Sequence, residues 1–236
     1  MEIRIRQLQK KFGEHTAVDI DHYDILAGEL LGLVGNNGAG KTTLFRLMLD
    51  LLEPNEGSAQ LGDCLVSQNE AWKQFTGAYI DNSFLIDYLT PEEYFEFIGK
   101  MYQLDVTEID QRLEFFKDFM KEEILGHKKF IRDFSSGNQQ KIGIVAALLH
   151  HPSIVILDEP FNFLDPTSQL SLKHLLKAYN QQTGATILVS SHNLDHTIDL
   201  CPRIALMEDG KIIRDLHQND GNTRRELEQY FNQQSS

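Results

Sequence analysis

The sequence predicts an α/β fold with a parallel β-sheet core, an antiparallel β region before it and a helical region inserted into it. Three short apolar runs, at 30–34, 154–157 and 186–190, are continuous rather than alternating and rich in branched side chains. Such runs are typical of strands buried on both faces of a parallel sheet. Helical patterns at 42–52 and 166–181 follow or separate these runs. The alternation of strands with helices predicts a layered α/β core.

The N-terminal region has a different pattern. Met1–Arg6 and Thr16–Ile25 alternate apolar with polar side chains, and turn-forming residues such as Gly13 and Gly28 lie between and beyond them. Alternation of this kind predicts antiparallel strands with one buried face.

The stretch from Pro91 to Leu149 has no strand pattern and predicts helices at 91–102, 108–123 and 137–150. Six of the 14 phenylalanines lie between Pro91 and Phe130. They indicate the core of a small helical subdomain, and the alternative is an aromatic patch that faces a partner.

Length and charge limit the classes of function. At about 150 residues per domain, 236 residues make one large domain or two small ones. The net charge of −13 argues against a nucleic-acid scaffold, because phosphate backbones require a basic footprint, although one small basic site remains compatible with it. We expect a soluble cytosolic chain: no apolar run approaches a membrane span, no signal-peptide core is evident, and two cysteines form no disulfide framework.

A phosphate-binding motif follows the first apolar run. It is Gly35-Asn36-Asn37-Gly38-Ala39-Gly40-Lys41-Thr42, which fits G-x-x-x-x-G-K-[ST] and is followed by Thr43 in an amphipathic helix. Glycines allow the loop to turn its N–H groups around phosphate oxygens, and the helix N-terminus adds positive charge. Lys41 is expected to reach the β- and γ-phosphates and Thr42 to bind Mg²⁺. The alternative is a glycine turn before an ordinary helix.

The second apolar run ends in two carboxylates, Asp158 and Glu159. Ligands of parallel sheets bind beyond the carboxyl ends of the strands. Asp158 is therefore placed to hold Mg²⁺, directly or through water, and Glu159 to deprotonate an attacking water. The alternative is a strand end capped by solvated acids.

The third apolar run is followed by Ser191 and His192, and His192 could donate a hydrogen bond to the γ-phosphate. His192 and His196 have the i, i+4 spacing of zinc ligands, but Asn193 replaces the glutamate of a zinc hydrolase and no third ligand is evident. A residue of an ordinary loop is the other alternative for His192.

From Met1 to Ile213 the chain resembles the ATP-binding subunit of an ABC transporter. Gly35–Thr42 is similar to the Walker A loop, Ile154–Glu159 to Walker B with its catalytic Glu, and Phe161–Asp165 to the D-loop. His192 occupies the place of the switch histidine, and Phe12 that of the aromatic residue that stacks on adenine.

Phe134–Lys141 resembles the L-S-G-G-Q signature and the residues behind it, and is called the signature segment below. Ser135 and Gly137 precede a helix predicted to begin near Asn138, so they offer a second phosphate-binding surface. In the family, the signature of one subunit closes over the nucleotide held by the Walker motifs of the other. The resemblance therefore implies a two-subunit ATP sandwich. In isolation, Ser135-Ser136-Gly137 would be a plain N-cap turn.

Two positions depart from the family pattern. The signature reads Ser-Ser-Gly-Asn where Ser-Gly-Gly-Gln is usual, which keeps Ser135 and Gly137 and shortens the last side chain to Asn138. Counting back from Pro91 puts Asp81 where the Q-loop Gln is expected. Asp81 could still approach Mg²⁺, since it offers oxygen ligands. Acids at this place resemble bacterial subunits that serve exporter-type permeases.

The resemblance implies a P-loop NTPase with a RecA-like parallel-sheet core, an N-terminal antiparallel β subdomain and an inserted α-helical subdomain. It implies one ABC ATPase domain over 1–236: residues 1–82 and 150–215 form the β subdomain and P-loop core, 83–149 the helical subdomain and 216–236 a C-terminal tail.

The implied function is that of an ATPase subunit that drives a separate permease, with an exporter favoured. ATP and Mg²⁺ are the implied cofactors, and the implied catalytic residues are Glu159, His192 and Lys41. The resemblance implies that the nucleotide is bound by Phe12, Gly35–Thr43, Ser135, Gly137, Asn138 and Asp165. It implies that the metal ion is bound by Thr42, Asp158 and Asp81.

The implied partners are a transmembrane permease subunit and a second ATPase subunit, identical or not, without nucleic acid. In the family, a groove receives short cytoplasmic helices of the permease, here lined from about Asp81 to Phe119. The chain would then sit on the inner face of the cell membrane. The first alternative is a cytosolic ABC ATPase with an assembly or regulatory role, and others are a nucleotide-binding regulator without turnover and a small-molecule kinase.

Overall fold

Two sheets make up the β structure of residues 1–217 and 227, which are the residues that the computed structural model describes. The strands are β1 (Ile3–Phe12), β2 (His15–Ile25), β3 (Leu30–Val34), β4 (Glu56–Leu61), β5 (Cys64–Leu65), β6 (Thr76–Tyr79), β7 (Ile154–Leu157), β8 (Thr186–Ser191), β9 (Arg203–Glu208) and β10 (Lys211–His217). The α-helices are α1 (Lys41–Met48), α2 (Pro91–Met101), α3 (Val106–Phe115), α4 (Lys117–Met120), α5 (Ser136–Leu148), α6 (Pro166–Thr183) and α7 (Leu194–Leu200).

The sheet topology confirms the predicted α/β class. The larger sheet has the order β10-β9-β3-β8-β7-β6, in which β9, β3, β8, β7 and β6 are parallel and β10 is antiparallel. The smaller sheet, β2-β1-β4-β5, is antiparallel and includes both strands predicted at the N-terminus. The inner strand β9 and the edge strands β6 and β10 of the larger sheet were not predicted from the sequence.

The three apolar runs are buried on both faces of the larger sheet, as their continuous apolarity predicts. In β7, Val155 and Leu157 pack into one hydrophobic cluster with the helices α2 to α6. Ile154 and Ile156 point the other way, into a second cluster that joins α1 to the antiparallel sheet. The carboxyl ends of β3, β7 and β8 are thereby fixed between two cores.

The helical region differs in one respect from its prediction. The helix predicted over 108–123 is wrong, because α3 ends before Phe116, α4 is a separate turn, and Lys121 has a φ of 53°. A left-handed residue cannot continue a right-handed helix. Phe95, Phe116 and Phe119 are buried in the helical core, as the first interpretation predicts, whereas Phe97 and Phe130 are exposed. A partner for the exposed rings stays a prediction.

The subdomain boundaries stay a prediction. Helices α2 to α5 lie within the segment 83–149, and β10 runs two residues into the predicted tail. Apart from residue 227, the tail beyond 217 lies outside the described residues. In the part of the chain that the structure describes, no helix combines the length and apolar character needed to cross a membrane.

Candidate active site

The phosphate loop, Gly35–Thr42, connects β3 to α1 and is held against the antiparallel sheet. Gly40 has a φ of 104°, and a Cβ added there would lie 2.2 Å from the Ala17 carbonyl oxygen of β2. Only glycine fits this close approach. The Ala39 carbonyl accepts a 3.0 Å hydrogen bond from the Gly210 N–H, which ties the loop to the β9–β10 turn. The loop is thus shaped by its neighbours.

Lys41 begins α1 and is almost fully buried. Its ammonium donates to the carbonyl oxygens of Gly35 at 2.7 Å and Asn36 at 3.3 Å. The same nitrogen lies 3.4 Å from Glu159 Oε1. The structure therefore brings together a cation and a carboxylate that lie 118 positions apart in the sequence.

Asp158 follows β7 and connects the start of α1 with the end of β8. Thr42 Oγ1 donates a 2.5 Å hydrogen bond to Asp158 Oδ2, and the Ser190 hydroxyl of β8 donates to Oδ1. Burial raises the pKa of Asp158 above its usual value, and these two hydrogen bonds oppose the shift. The arrangement is held by a residue that sequence reasoning assigned no role, Ser190.

The residues at this point fit a magnesium ion. Thr42 and Asp158 offer a hydroxyl and a carboxylate in contact, which are hard oxygen donors. Residues 1–217 and 227 contain no group of three or more His, Cys, Asp and Glu side chains placed to hold a metal ion. Magnesium needs no such cage, since it commonly combines one or two protein ligands with water and substrate phosphates. The zinc alternative finds no support here, and the His196 ring packs against Phe161 instead.

Glu159 and His192 form a second contact at the same edge. Glu159 Oε2 lies 2.8 Å from His192 Nδ1 and accepts from the His192 N–H at 3.3 Å. Glu159 has a φ of 46°, a backbone conformation that costs a non-glycine residue about 1–3 kcal/mol. Its N–H donates to Ser190 Oγ at 2.8 Å. Tertiary contacts thus hold the carboxylate where a general base is useful.

The signature segment presents a capped helix N-terminus. Ser135 is the N-cap of α5, which begins at Ser136 rather than near Asn138, and Ser135 Oγ accepts from the Asn138 N–H at 3.3 Å. A Cβ on Gly137 would lie 2.6 Å from the Phe163 carbonyl oxygen, so a glycine is required there. Ser135 is exposed, and Gly137 and Asn138 are partly exposed. This helix end faces outward and is accessible to an anion.

Asp165 closes the D-loop and caps α6. Its carboxylate accepts from the backbone of Thr167 at 3.0 Å and of Ser168 at 3.1 Å, and from the Ser168 hydroxyl. The Ser168 hydrogen bonds lower the pKa of Asp165 to about 2. The described contacts of Asp165 are therefore those of a helix cap, and its role toward nucleotide stays a prediction.

The structure does not bring Asp81 into contact with the predicted magnesium ligands. Asp81 follows β6, and its carboxylate accepts from the Ser83 N–H at 2.8 Å and lies 3.4 Å from an Arg46 nitrogen. These contacts direct it toward α1 and the turn that follows it. Its role as a metal ligand stays a prediction.

Phe12 is half exposed at the end of β1. The Lys10 ammonium lies 5.4 Å from the centre of its ring, within the range of a cation–π contact. An exposed ring is available for stacking, and its role toward adenine stays a prediction.

Comparison with known proteins gives two family matches. A family model described as ABC transporter matches residues 18–162, which include the phosphate loop, the signature segment, Asp158 and Glu159. A second model, described as an AAA domain of a putative AbiEii toxin in a type IV toxin–antitoxin system, matches residues 131–199.

Three known proteins illustrate the similarity. The chain is 32% identical over 211 residues to the uncharacterized ABC transporter ATP-binding protein YdbJ of Bacillus subtilis, covering 89% of this chain and 67% of that protein. It is 30% identical over 221 residues to the bacitracin transport ATP-binding protein BcrA of Enterococcus faecalis, covering 91% and 69%. A solved post-hydrolysis dimer of the ATP-binding cassette MJ0796 with ADP and Pi matches with 26% identity and a TM-score of 0.80, covering 91% and 98%.

Proposed function

The chain belongs to the ABC transporter family of ATP-binding proteins, and on that premise we propose that it powers a separate membrane permease, an exporter, through an ATP-sandwich dimer. The chain is an ATPase of this family. The observation that carries the proposal is the meeting of Lys41, Thr42, Asp158, Glu159 and His192 at the carboxyl ends of three neighbouring strands.

The proposed chemistry follows from these positions. The phosphate loop and Lys41 bind the β- and γ-phosphates, and Thr42 and Asp158 would hold Mg²⁺. The ion would neutralise charge that develops on the phosphate oxygens. Glu159 accepts a proton from a water molecule, and the oxygen of that water attacks the γ-phosphorus. The bond between the γ-phosphorus and the ADP oxygen breaks, which leaves ADP and phosphate. His192, held by Glu159, donates to the γ-phosphate.

The second subunit is proposed to supply the signature. Ser135 and Gly137 form an outward-facing anion site, whereas the Walker residues of the same chain form their own site. A second copy, turned head to tail, would place each signature over the other nucleotide. The similar MJ0796 cassette is described as a dimer with ADP and Pi, which supports this arrangement.

An apolar groove of about 400 Å³ supports docking of a permease. Its lining includes Leu51, Ile80, Phe84 and Met101, together with residues 143, 146 and 147 of α5. The predicted far boundary at Phe119 is wrong, because Phe119 is buried in the helical core. Exposed Phe84 and Met101 would pack against the apolar side of a short permease helix. The chain would then lie at the inner face of the membrane.

The proposed direction of transport is export. The acid at position 81 resembles exporter-type subunits, and one similar protein is named for bacitracin transport. Both observations support export.

Site-specific cross-linking tests whether the groove binds a permease. A photo-reactive residue at position 101, in the groove, should capture an integral membrane protein in native cells. Position 170 is the matched control, because Leu170 is also exposed but lies on α6 and outside the groove. Capture of the same membrane protein from both positions would remove the groove as the docking site. Capture only of cytosolic proteins from position 101 would favour a non-transport ABC ATPase.

A further inference from the structure

Gln140 is a buried polar side chain of the signature segment that contacts the loop 159–165, called the catalytic loop below. It lies in α5, its side chain is 1% exposed, and its Nε2 donates a hydrogen bond to the Pro160 carbonyl oxygen. Pro160 directly follows Glu159. A buried amide is stabilising only when its donors are satisfied, so this hydrogen bond fixes the position of the Gln140 side chain.

The loop that begins at Glu159 is held by β8 and α5 on two sides, and Gln169 of α6 also donates a 3.3 Å hydrogen bond to its Phe161 carbonyl oxygen. On one side, Ser190 of β8 accepts from the Glu159 N–H. On the other, α5 contacts the loop through the Gln140 amide and through Gly137, over which the Phe163 carbonyl is packed. The strained φ of Glu159 shows that the neighbours, rather than local preference, set this backbone.

The helix α5 therefore connects two functional groups of one chain. Ser135 caps its N-terminus and Gln140 lies five residues further, a rise of about 7.5 Å along the axis. Two points this close on one regular helix move together. A displacement of Ser135 is accordingly transmitted to the Pro160 carbonyl.

We propose that Gln140 is a positioning residue that links the closure of the signature on the partner subunit's nucleotide to the alignment of Glu159 in its own chain. This inference rests on the ATP-sandwich dimer proposed above. In that dimer Ser135 and Glu159 of one chain serve different nucleotides. The hydrogen bond from Gln140 to Pro160 then couples the two sites through a contact within one subunit.

Gln139 is the neighbouring glutamine on the same helix. Its Nε2 donates to the carbonyl oxygen of Ile131 at 3.2 Å and to that of Phe134, the first residue of the signature segment, at 3.1 Å. The two neighbouring glutamines have the same chemistry and hold different segments. Of these two glutamines, Gln140 is the one whose amide is described as donating to the catalytic loop.

The test separates closure from chemistry. Gln140→Met keeps the length of the side chain and removes the donor, so kcat should fall about tenfold, in the range expected for a displaced catalytic group. ATP affinity should stay unchanged, and so should the MgATP-dependent dimer measured in a Glu159→Gln background. Gln111→Met, at an exposed site on α3, is the control and should retain the kcat of the unmodified chain at saturating ATP. Gln140→Asn keeps the amide with a shorter reach and should give an intermediate kcat.

Each outcome is decisive. Unchanged kcat in both Gln140 variants would overturn the inference while the proposed function stands. Parallel losses of ATP affinity, dimer and kcat would show a merely structural role and overturn it as well. If Glu159→Gln alone forms no dimer with MgATP, the proposed sandwich fails, and the inference fails with it.

Discussion

The Walker residues and the signature residues differ in how completely one chain builds their surroundings. Lys41 and Asp158 are each 5% exposed and are held by loop carbonyls, Thr42 and Ser190. Ser135, by contrast, is exposed, and the hydrogen bond described for its hydroxyl is to its own helix. The proposed Walker anion site is formed inside the chain, and the proposed signature anion site is an open surface.

The difference shows where the chain depends on another molecule. A buried, preorganised site carries its electrostatic contribution within the monomer. An exposed helix N-terminus contributes only when a ligand is brought to it. Substitutions among the Walker residues should therefore affect chemistry in every state, whereas substitutions at the signature should affect assembly.

The largest effect is expected at Glu159. Glu159→Gln keeps size and shape but removes the basic oxygen, so the rate of hydrolysis should fall by about 10²–10⁴-fold. Binding of MgATP should be retained, since one acid fewer faces the phosphates. Phosphate release and a direct binding assay measure the two quantities. Glu114→Gln, at an exposed site on α3, is the control, and an equal loss in both variants would remove the base assignment.

The second largest effect is expected for Lys41→Ala. The ammonium is the cation held inside the phosphate loop, and loss of one such donor should reduce turnover by about 10²–10³-fold. ATP affinity should weaken as well, unlike in Glu159→Gln. Lys117→Ala removes an exposed cation from α4 and should change neither quantity. Full ATPase activity in Lys41→Ala would contradict the phosphate-loop assignment.

A smaller effect is expected at Phe12. Stacking of a base on an aromatic ring is worth about 1–3 kcal/mol, so Phe12→Ala should weaken ATP affinity by roughly 5- to 150-fold. Phe12→Trp should restore it, and GTP should bind too, since stacking accepts any purine. Isothermal titration measures these affinities. If Phe12→Ala binds ATP as tightly as the unmodified chain, Phe12 has no part in the Walker site.

The smallest effect concerns stability. Asp165→Ala removes the cap of α6 and should lower the free energy of unfolding by about 1 kcal/mol, whereas Asp165→Asn should retain most of the cap. Because the pKa of Asp165 is lowered to about 2, its contribution is present at neutral pH and is lost as the pH falls from about 4 through about 2. Urea titrations at several pH values measure this. An identical pH dependence in Asp165→Ala would contradict it.

Sequence reasoning succeeded where one segment carries its own signal. The runs ending at Val34 and Leu157 identify buried strands, and strand ends in a parallel sheet must meet, which places Thr42 near Asp158. By contrast, β6 (Thr76–Tyr79) has a short, weakly apolar sequence and became a strand only by pairing with β7. Its position depends on its neighbour, so local pattern could not predict it.

Ser190 and Gln140, whose contacts were not predicted from the sequence, also depend on neighbouring elements. Ser190 was visible as a hydroxyl at the end of an apolar run, but its partners, Asp158 and Glu159, come from another strand. Gln140 looked like a residue behind the signature, and its contact with Pro160 arises only after α5 packs beside β7. Tertiary hydrogen bonds of this kind leave no periodicity in the sequence.

The central claim is that ATP is enclosed between a Walker site and the signature of a second copy. Light scattering on a sizing column tests it with the slowly hydrolysing Glu159→Gln variant, with and without MgATP. The account predicts a dimer with MgATP, a monomer without it, and a monomer in both conditions when Ser135→Arg is added. Dimers that form without ATP, or that persist with Ser135→Arg, would contradict the sandwich and leave a single-subunit ATPase.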